Sequence, residues 1–177
     1  MRRFLDRLYR TSGVAAAVCL AAICALMLAQ ALGREARILI RGADDIVSWL
    51  TAACAFLALG YTFRHGELVR VGLWLEKLAP GRRRYAEIGA LGVTAVFGAY
   101  MLWAISRFVY ESWQFKEVAQ GMIPIPIWIP QLALVVGTAI FLVAVLDELS
   151  AVLRNQKPAY QVAEEERRAA GDYSETV

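Results

Sequence analysis

Residue types that build reactive centres are scarce in this sequence. Its 177 residues include one histidine, His65, and three cysteines, Cys19, Cys24 and Cys54. The cysteines form no Cys-x-x-Cys pair and have no histidine near them, which argues against a zinc site and a disulfide framework. The sequence also holds no nucleophile–base pair and no phosphate-binding loop. We therefore expect that the chain is not an enzyme and that it holds no metal or cofactor.

Charge is missing from four long windows, residues 13–33, 46–63, 88–105 and 127–146. Together they hold 77 residues, so all 35 Asp, Glu, Lys and Arg side chains lie in the remaining 100. Each window has the roughly 17–25 residues that a helix needs to cross a hydrocarbon core of about 30 Å. A helix is required because lipid cannot satisfy backbone polar groups. One such window could be a buried core helix, but a soluble domain of this length cannot house four.

The windows predict an all-α membrane protein with four transmembrane helices in residues 1–155. A polar cytoplasmic tail, expected to be flexible, follows over 156–177. The hydrophobic content of 59% excludes a disordered chain. The net charge of only +3 argues against a nucleic-acid binder, whose affinity would depend on a strongly basic surface.

Basic residues predict the orientation of the chain. Fourteen lie in the N-terminal segment, the connection 64–87 and the C-terminal segment, whereas five lie in the other two connections. Since Lys and Arg concentrate on the cytoplasmic side, both termini are expected there. Arg2-Arg3 before an apolar run, with Ala29-Gln30-Ala31 as a cleavage site, also fits a targeting signal. The apolar run exceeds the usual signal core, so we favour an uncleaved first span.

The spans themselves contain no Asp, Glu, Lys, Arg or His side chain. Pumps, ion-coupled carriers and proton relays place such groups, or broken helices, inside the membrane. The polar residues of the windows can each be satisfied by a helix backbone or a neighbouring helix: Gln30, Ser48, Thr51, Thr62, Thr94, Gln131 and Thr138. This composition is typical of an accessory membrane subunit and not of the subunit that performs transport.

The outer connections predict local structure. Asp44 and Asp45 precede span 2, where carboxylates can cap the first turn and meet the positive end of the helix dipole. Span 3 is expected to continue outward as a helix through Trp113. Pro124 and Pro126 then require an extended chain, and Pro130 is tolerable only in a first helical turn or at a kink. Interfacial anchors near this boundary are predicted at Trp49, Trp113 and Trp128.

Two further patterns concern helix packing. Small residues recur along span 1 (Ala21, Ala25, Ala29) and span 3 (Gly89, Gly92, Ala95, Ala99), where a helix of this chain or of another can pack closely. The inner connection 66–79 has an amphipathic pattern, which predicts a helix lying in the interface plane or against the inner ends of the spans. Near the same ends, Arg64 or Arg70 could pair with Asp147 or Glu148.

Two segments carry a family resemblance. The first begins at Gly42-Ala43-Asp44-Asp45 and ends at Arg64-His65-Gly66-Glu67-Leu68-Val69-Arg70-Val71. The second is Ile123-Pro124-Ile125-Pro126-Ile127-Trp128-Ile129-Pro130-Gln131, with Asp147-Glu148-Leu149 after span 4. From about residue 10 to residue 155, the chain resembles the small membrane (Q-type) subunit of tripartite ATP-independent periplasmic (TRAP) transporters. It departs from that family at Leu68, where relatives often have histidine, so no role is assigned to His65.

The resemblance implies a division of labour in the bacterial inner membrane. A large multi-span subunit would hold the organic-acid and Na⁺ sites, and a periplasmic protein would deliver the substrate. This chain would pack on the large subunit as a static scaffold, surrounded elsewhere by lipid. The candidate interface or structural residues are Asp44, Asp45, Trp49, Arg64, Arg70, Trp113, Pro124, Pro126, Trp128, Pro130, Gln131, Asp147 and Glu148.

Two other functions remain open for a four-span chain. A membrane anchor for a soluble enzyme would need fewer spans and no structured outer turn. A homo-oligomeric channel would need a polar stripe through the bilayer, and the spans contain no strong one. Co-purification distinguishes the three functions, because each predicts a different partner.

Overall fold

A computed structural model describes residues 2–35, 37, 40–65 and 80–154, with the side chains of 2–4 and 80–83 excepted. Its helices are α1 Arg2–Glu35, α2 Ala43–Arg64, α3 Pro80–Gln114 and α4 Trp128–Leu153. The described residues contain no β-strand, only one isolated antiparallel bridge between Val118 and Pro126. The all-α prediction is therefore confirmed for these ranges. The amphipathic helix expected over 66–79 and the flexible tail over 156–177 lie outside them.

All four helices are long and apolar enough to cross a membrane. The charge-free windows fall within them, apart from Ile127, which is the N-cap residue of α4. Even the shortest helix, α2 with 22 residues, measures about 33 Å at 1.5 Å per residue. Only 11–28% of the most apolar stretch of each helix is buried inside the chain. Most of this apolar surface must therefore be covered by lipid or by a partner.

The helix α3 continues well beyond its charge-free window. It has 35 residues and a length of about 52 Å, against a hydrocarbon core of about 30 Å. The continuation predicted through Trp113 is confirmed, since α3 ends at Gln114. The placement of Pro130 is confirmed as well, because it is the third residue of α4 and lies in the first turn.

The helices form a row in the order α1, α2, α4, α3. Extensive contacts join α1 to α2, α2 to α4 and α4 to α3, whereas α1 and α4 make few contacts. The two central helices, α2 and α4, run parallel, and each outer helix is antiparallel to its neighbour. We call the end with Gln30 and Asp45 the Asp45 end, and the end with Tyr9 and Arg64 the Arg64 end. A closed four-helix bundle would also bring α1 against α3, which the described contacts do not do.

Two glycines allow the central helices to approach closely. A Cβ atom added at Gly137 would lie 2.5 Å from the carbonyl carbon and oxygen of Phe56. A Cβ added at Gly60 would lie 2.7 Å from Cγ2 of Ile140. At Gly137 the backbone of α4 thus packs against the backbone of α2 without an intervening side chain, and at Gly60 the backbone of α2 packs against the Ile140 side chain. Such close backbone approach is the main source of van der Waals contact between helices in lipid.

Buried side chains concentrate at the Arg64 end of the row. Tyr9 and Val145 are almost fully buried, and Leu91 from α3 reaches the same cluster. The rings of Phe63 and Phe141 meet edge to face at a centroid distance of 5.4 Å, an arrangement that aromatic quadrupoles favour. All four helices therefore contribute to one core, which holds the Arg64 end together.

Candidate subunit interface

The polar side chains inside the charge-free windows are mostly satisfied within their own helices. The hydroxyls of Ser48, Thr51, Thr62, Thr94 and Thr138 each donate to the carbonyl four residues earlier, at 2.7–3.1 Å. Gln30 donates across to Asp44. Gln131 departs from the expectation, because its buried Oε1 accepts no hydrogen bond within the described residues. The bilayer-crossing segments therefore contain no continuous polar path along these side chains.

The connection between α3 and α4 folds into a short hairpin over residues 115–127, here called the α3–α4 hairpin. The amide of Ala119 donates to the carbonyl of Ile125 at 2.9 Å, and Ile127 donates to Glu117 at 3.1 Å. Ser112, buried at the end of α3, donates to the Glu117 carboxylate at 2.9 Å. Pro126 lies in the bridge and Pro124 lies outside any helix, so the non-helical entry to α4 is confirmed.

Asp45 attaches the tip of this hairpin to α2. Its Oδ2 accepts hydrogen bonds from the backbone amides of Met122 at 2.6 Å and Ile123 at 3.2 Å. A Cβ atom at Gly121 would overlap the Asp45 carboxylate, so a residue without a side chain is needed there. Gly42 has φ 79° and lies against Ile123, so both of its properties, conformation and size, suit glycine.

Asp44 and Asp45 were predicted to cap the first turn of α2, and this prediction is wrong, because their carboxylates accept hydrogen bonds from other segments. Both carboxylates do lie in the first turn of α2, near the positive end of its dipole. However, the N-cap residue is Gly42, and no side chain caps the helix there. Asp45 instead accepts from the hairpin, whose turn amides need an acceptor, and Asp44 accepts from Gln30 at 3.0 Å. The two carboxylates thus join three segments at the Asp45 end.

Replacing Asp45 by alanine should release the hairpin tip. Two backbone amides lose a charged acceptor, which costs about 1–3 kcal/mol for the docked conformation. We expect faster amide hydrogen exchange at Met122 and Ile123, with the helices unchanged. Asp44→Ala is the matched control, because the exposed Asp44 bonds the Gln30 side chain and no hairpin amide. Equal protection of the tip in both variants would contradict the assignment.

The Arg64 end is held by an arginine that bridges three helices. Arg64 Nη2 lies 2.5 Å from Asp6 Oδ1 on α1, and Nη1 lies 3.3 Å from Asp147 Oδ2 on α4. Its guanidinium also lies over the ring of Tyr9, 4.9 Å from the centroid. The predicted pair Arg64–Asp147 is present, Glu148 is buried beside it, and Arg70 lies outside the described residues.

Sequence reasoning missed Asp6 and Tyr9 as partners of Arg64. The basic residues of the N-terminal segment predict orientation and fit a targeting signal, and neither pattern involves Asp6 or Tyr9. Asp6 and Tyr9 are three residues apart, so they share one face of α1. An acidic and an aromatic residue at this spacing, one turn before an apolar span, could have indicated a binding face for an arginine.

The remaining candidates differ in exposure. Trp49 and Trp128 are half-buried at the Asp45 end, whereas Trp113 is 57% exposed. Large apolar side chains are also exposed beyond Arg107, on the last turns of α3 and on the hairpin: Phe108, Tyr110, Trp113, Phe115, Val118 and Met122. Within the described ranges, no group of three His, Cys, Asp or Glu residues could hold a metal ion.

This architecture defines an integral membrane protein with four spanning helices. Residues 23–155 match the sequence model of a family described as "Tripartite ATP-independent periplasmic transporters, DctQ component". The match covers most of the chain, which therefore belongs to this family of transporter components, and the resemblance predicted from its two segments is confirmed. The family is not one of enzymes. No curated protein sequence matches the chain.

Proposed function

We propose that this chain is the scaffold subunit of a Na⁺-coupled TRAP transporter that takes up an organic acid. It packs on the large membrane subunit, which binds substrate and Na⁺ and receives the substrate from a periplasmic protein. The family match carries this proposal. The charge-free windows support it, because spans without Asp, Glu, Lys, Arg or His offer no charged side chain for an ion site.

We further propose that the chain lies in the bacterial inner membrane with both termini in the cytoplasm. The Arg64 end then faces the cytoplasm, and the Asp45 end with the α3–α4 hairpin faces the periplasm. The excess of basic residues, fourteen against five, supports this orientation. Fusion of a fluorescent protein to the C-terminus tests it, since the fusion should fluoresce only if it stays in the cytoplasm.

The row of helices suits a scaffold. Among the described residues each outer helix is packed on one side only, so α1 and α3 leave long apolar faces without a described neighbour. A row can lie flat against a larger protein, and the arginine bridge and the glycine contacts keep it rigid. A scaffold must be rigid because, in this proposal, the part of the large subunit that carries the substrate moves against it.

The exposed apolar residues beyond Arg107 support the periplasmic half of the interface. Trp113, Phe115 and Met122 are 57%, 71% and 70% exposed, although they lie past the charge-free window. Apolar groups of this size outside the hydrocarbon core are typical of protein contacts. We propose that they contact the large subunit, and that Trp49 and residues 123–131, from the hairpin tip to the first turn of α4, support them.

Co-purification tests the function. The tagged full chain, expressed with the candidate large subunit from the same genome, should bring it down in stoichiometric amount. The two should take up an organic acid into vesicles under an inward Na⁺ gradient only when the periplasmic protein is added outside. Recovery of a soluble enzyme would instead support the anchor function, and recovery of homo-oligomers alone would support a channel.

The double variant Trp113→Ser and Phe115→Ser should weaken this association. Loss of two large apolar contacts at an interface centre weakens binding about tenfold or more. The measurement is the amount of large subunit recovered at increasing detergent concentration. Gln114→Ser, an exposed residue between the two, is the control and should leave recovery unchanged. Unchanged recovery in the double variant would place the interface elsewhere.

A further inference from the structure

A cavity of about 400 Å³ opens at the Asp45 end of the row. It lies between the end of α1, the segment 40–42, the first turn of α2 and the hairpin tip. The residues used below are Gln30, Arg34, Ile40, Arg41, Asp44 and Met122, all of which line it. The end of α1, the stretch 40–45 and the hairpin tip therefore share one concave surface.

Two guanidinium groups of this cavity lack partners in the described part of the chain. Neither the Arg34 nor the Arg41 side chain forms an ion pair or a hydrogen bond with another described residue. Asp45 already accepts two hairpin amides. Asp44 uses only Oδ1, toward Gln30, and its other oxygen accepts no hydrogen bond from a described residue. The cavity thus presents two positive groups and two carboxylate oxygens without a described donor, Asp44 Oδ2 and Asp45 Oδ1.

This combination selects a zwitterion. Guanidinium groups bind phosphate oxygens with paired, charge-assisted hydrogen bonds. A carboxylate oxygen accepts a hydrogen bond from a primary ammonium. Phosphate and primary ammonium occur together in the phosphoethanolamine headgroup.

The surroundings favour a lipid over a soluble solute. Leu20 and Met27 on α1 are exposed, at 60% and 56%, and their seven-residue spacing from each other and from Arg34 places all three on one face of the spanning helix. Ile40 and Met122 add exposed apolar groups to the cavity wall. A ligand that contacts both the charged cavity and these side chains must be amphiphilic. Acyl chains could lie along α1 below the headgroup, whereas a water-soluble protein loop would leave the apolar groups uncovered.

We propose that this cavity binds the headgroup of an aminophospholipid of the phosphatidylethanolamine type. Arg34 and Arg41 hold the phosphate, Asp44 accepts from the ammonium, and the acyl chains pack along Leu20 and Met27. The bound lipid joins α1, α2 and the α3–α4 hairpin at one membrane boundary. The inference requires only that the chain spans a membrane and does not depend on its role in transport.

Native mass spectrometry of the full chain in lipid-free detergent tests the site. The added probes are short-chain phosphatidylethanolamine, phosphatidylcholine and phosphatidylglycerol, and water-soluble glycerophosphoethanolamine. We expect one phosphatidylethanolamine adduct per chain and a higher thermal midpoint. Phosphatidylcholine should bind about tenfold more weakly, because its quaternary ammonium cannot donate a hydrogen bond. Equal binding of the first two lipids would overturn the headgroup assignment, and equally tight binding of glycerophosphoethanolamine would overturn the lipid assignment.

Substitutions test which side chains hold the phosphate and which accepts from the ammonium. Arg34→Gln with Arg41→Gln should weaken the phosphatidylethanolamine adduct about tenfold or more, since each lost guanidinium removes charge-assisted hydrogen bonds. Arg37→Gln is the control, because Arg37 belongs to the same connection but does not line the cavity. Asp44→Asn should abolish the preference for phosphatidylethanolamine over phosphatidylglycerol while folding stays normal by circular dichroism. Unchanged affinity in the double variant, or an equal loss in the control, would overturn the proposal.

Discussion

Replacing Gly137 by alanine is expected to destabilise the helix row more than the same change at Gly60 or Gly92. The added Cβ would lie 2.5 Å from the backbone carbonyl of Phe56, and a backbone cannot move aside without shifting α2 as a whole. Overpacking of this kind costs about 1–3 kcal/mol, and more where no side chain can relax. At Gly60 the nearest atom is Cγ2 of Ile140, at 2.7 Å, and the Ile140 backbone lies farther away, at 3.5 Å, so the overlap involves one methyl group and the cost is smaller.

The matched control is Gly92 on α3. Nothing lies within 4 Å of a Cβ added there, so alanine meets open space. Alanine also favours the helix by about 1 kcal/mol relative to glycine, so this variant should be as stable as the unchanged chain or slightly more stable. The measurement is the unfolding midpoint of the full chain in detergent titrated with SDS. A Gly137→Ala midpoint at or above that of Gly92→Ala would contradict the close packing of α2 and α4.

The spans could be predicted from the sequence because the physics that selects them is local. A backbone in lipid must bond within its own segment, so each charge-free window becomes a helix regardless of its neighbours. The long α3 and the first-turn position of Pro130 followed for the same reason. Each depends on the conformational limits of residues that are close in the sequence.

The order of the helices could not be predicted in this way. The alanine stripe of α1 invited close packing, yet Ala21, Ala25 and Ala29 are all exposed and face away from the chain. The close contact is instead made by single glycines, Gly60 and Gly137, that belong to no stripe. Small residues permit close approach but do not specify a partner, and the choice depends on the combined surfaces of two helices.

The candidate site shows the same limit at the level of single groups. Asp45 was recognised as a helix-terminal carboxylate, but its hydrogen bonds reach the hairpin amides of Met122 and Ile123, 77 and 78 residues away. Arg64–Asp147 is one of the pairs that the sequence left open between Arg64 or Arg70 and Asp147 or Glu148, but the second partner of Arg64, on α1, was missed. The sign of a charge and its position at the end of a helix can be inferred from the sequence. Which distant residue it contacts depends on how the helices are arranged.

Removing the charge of Arg64 should be the most damaging polar change. Arg64→Met keeps much of the side-chain volume but leaves Asp147 without its cation beside the buried Glu148. Breaking a fully buried ion pair costs about 3–5 kcal/mol, and exposed pairs contribute about 0–1. The Arg64 side chain is 20% exposed and that of Asp147 is 33% exposed, so we expect a loss of about 2 kcal/mol. Arg107→Met, in an exposed pair with Glu111, is the control and should cost less than about 0.5 kcal/mol.

The decisive result is that Asp147→Asn changes the stability in opposite directions in the unchanged chain and in Arg64→Met. In the unchanged chain, Asp147→Asn removes an attraction to Arg64 and should destabilise the row. In Arg64→Met, the same substitution removes an unpaired carboxylate and should stabilise it, which an SDS-titration double-mutant cycle measures directly. An exchange of the charges, Arg64→Asp with Asp147→Arg, should restore only part of the stability, because Asp6 would then face an acidic residue. Equal effects of Asp147→Asn in both backgrounds would mean that Arg64 does not hold α2 to α4.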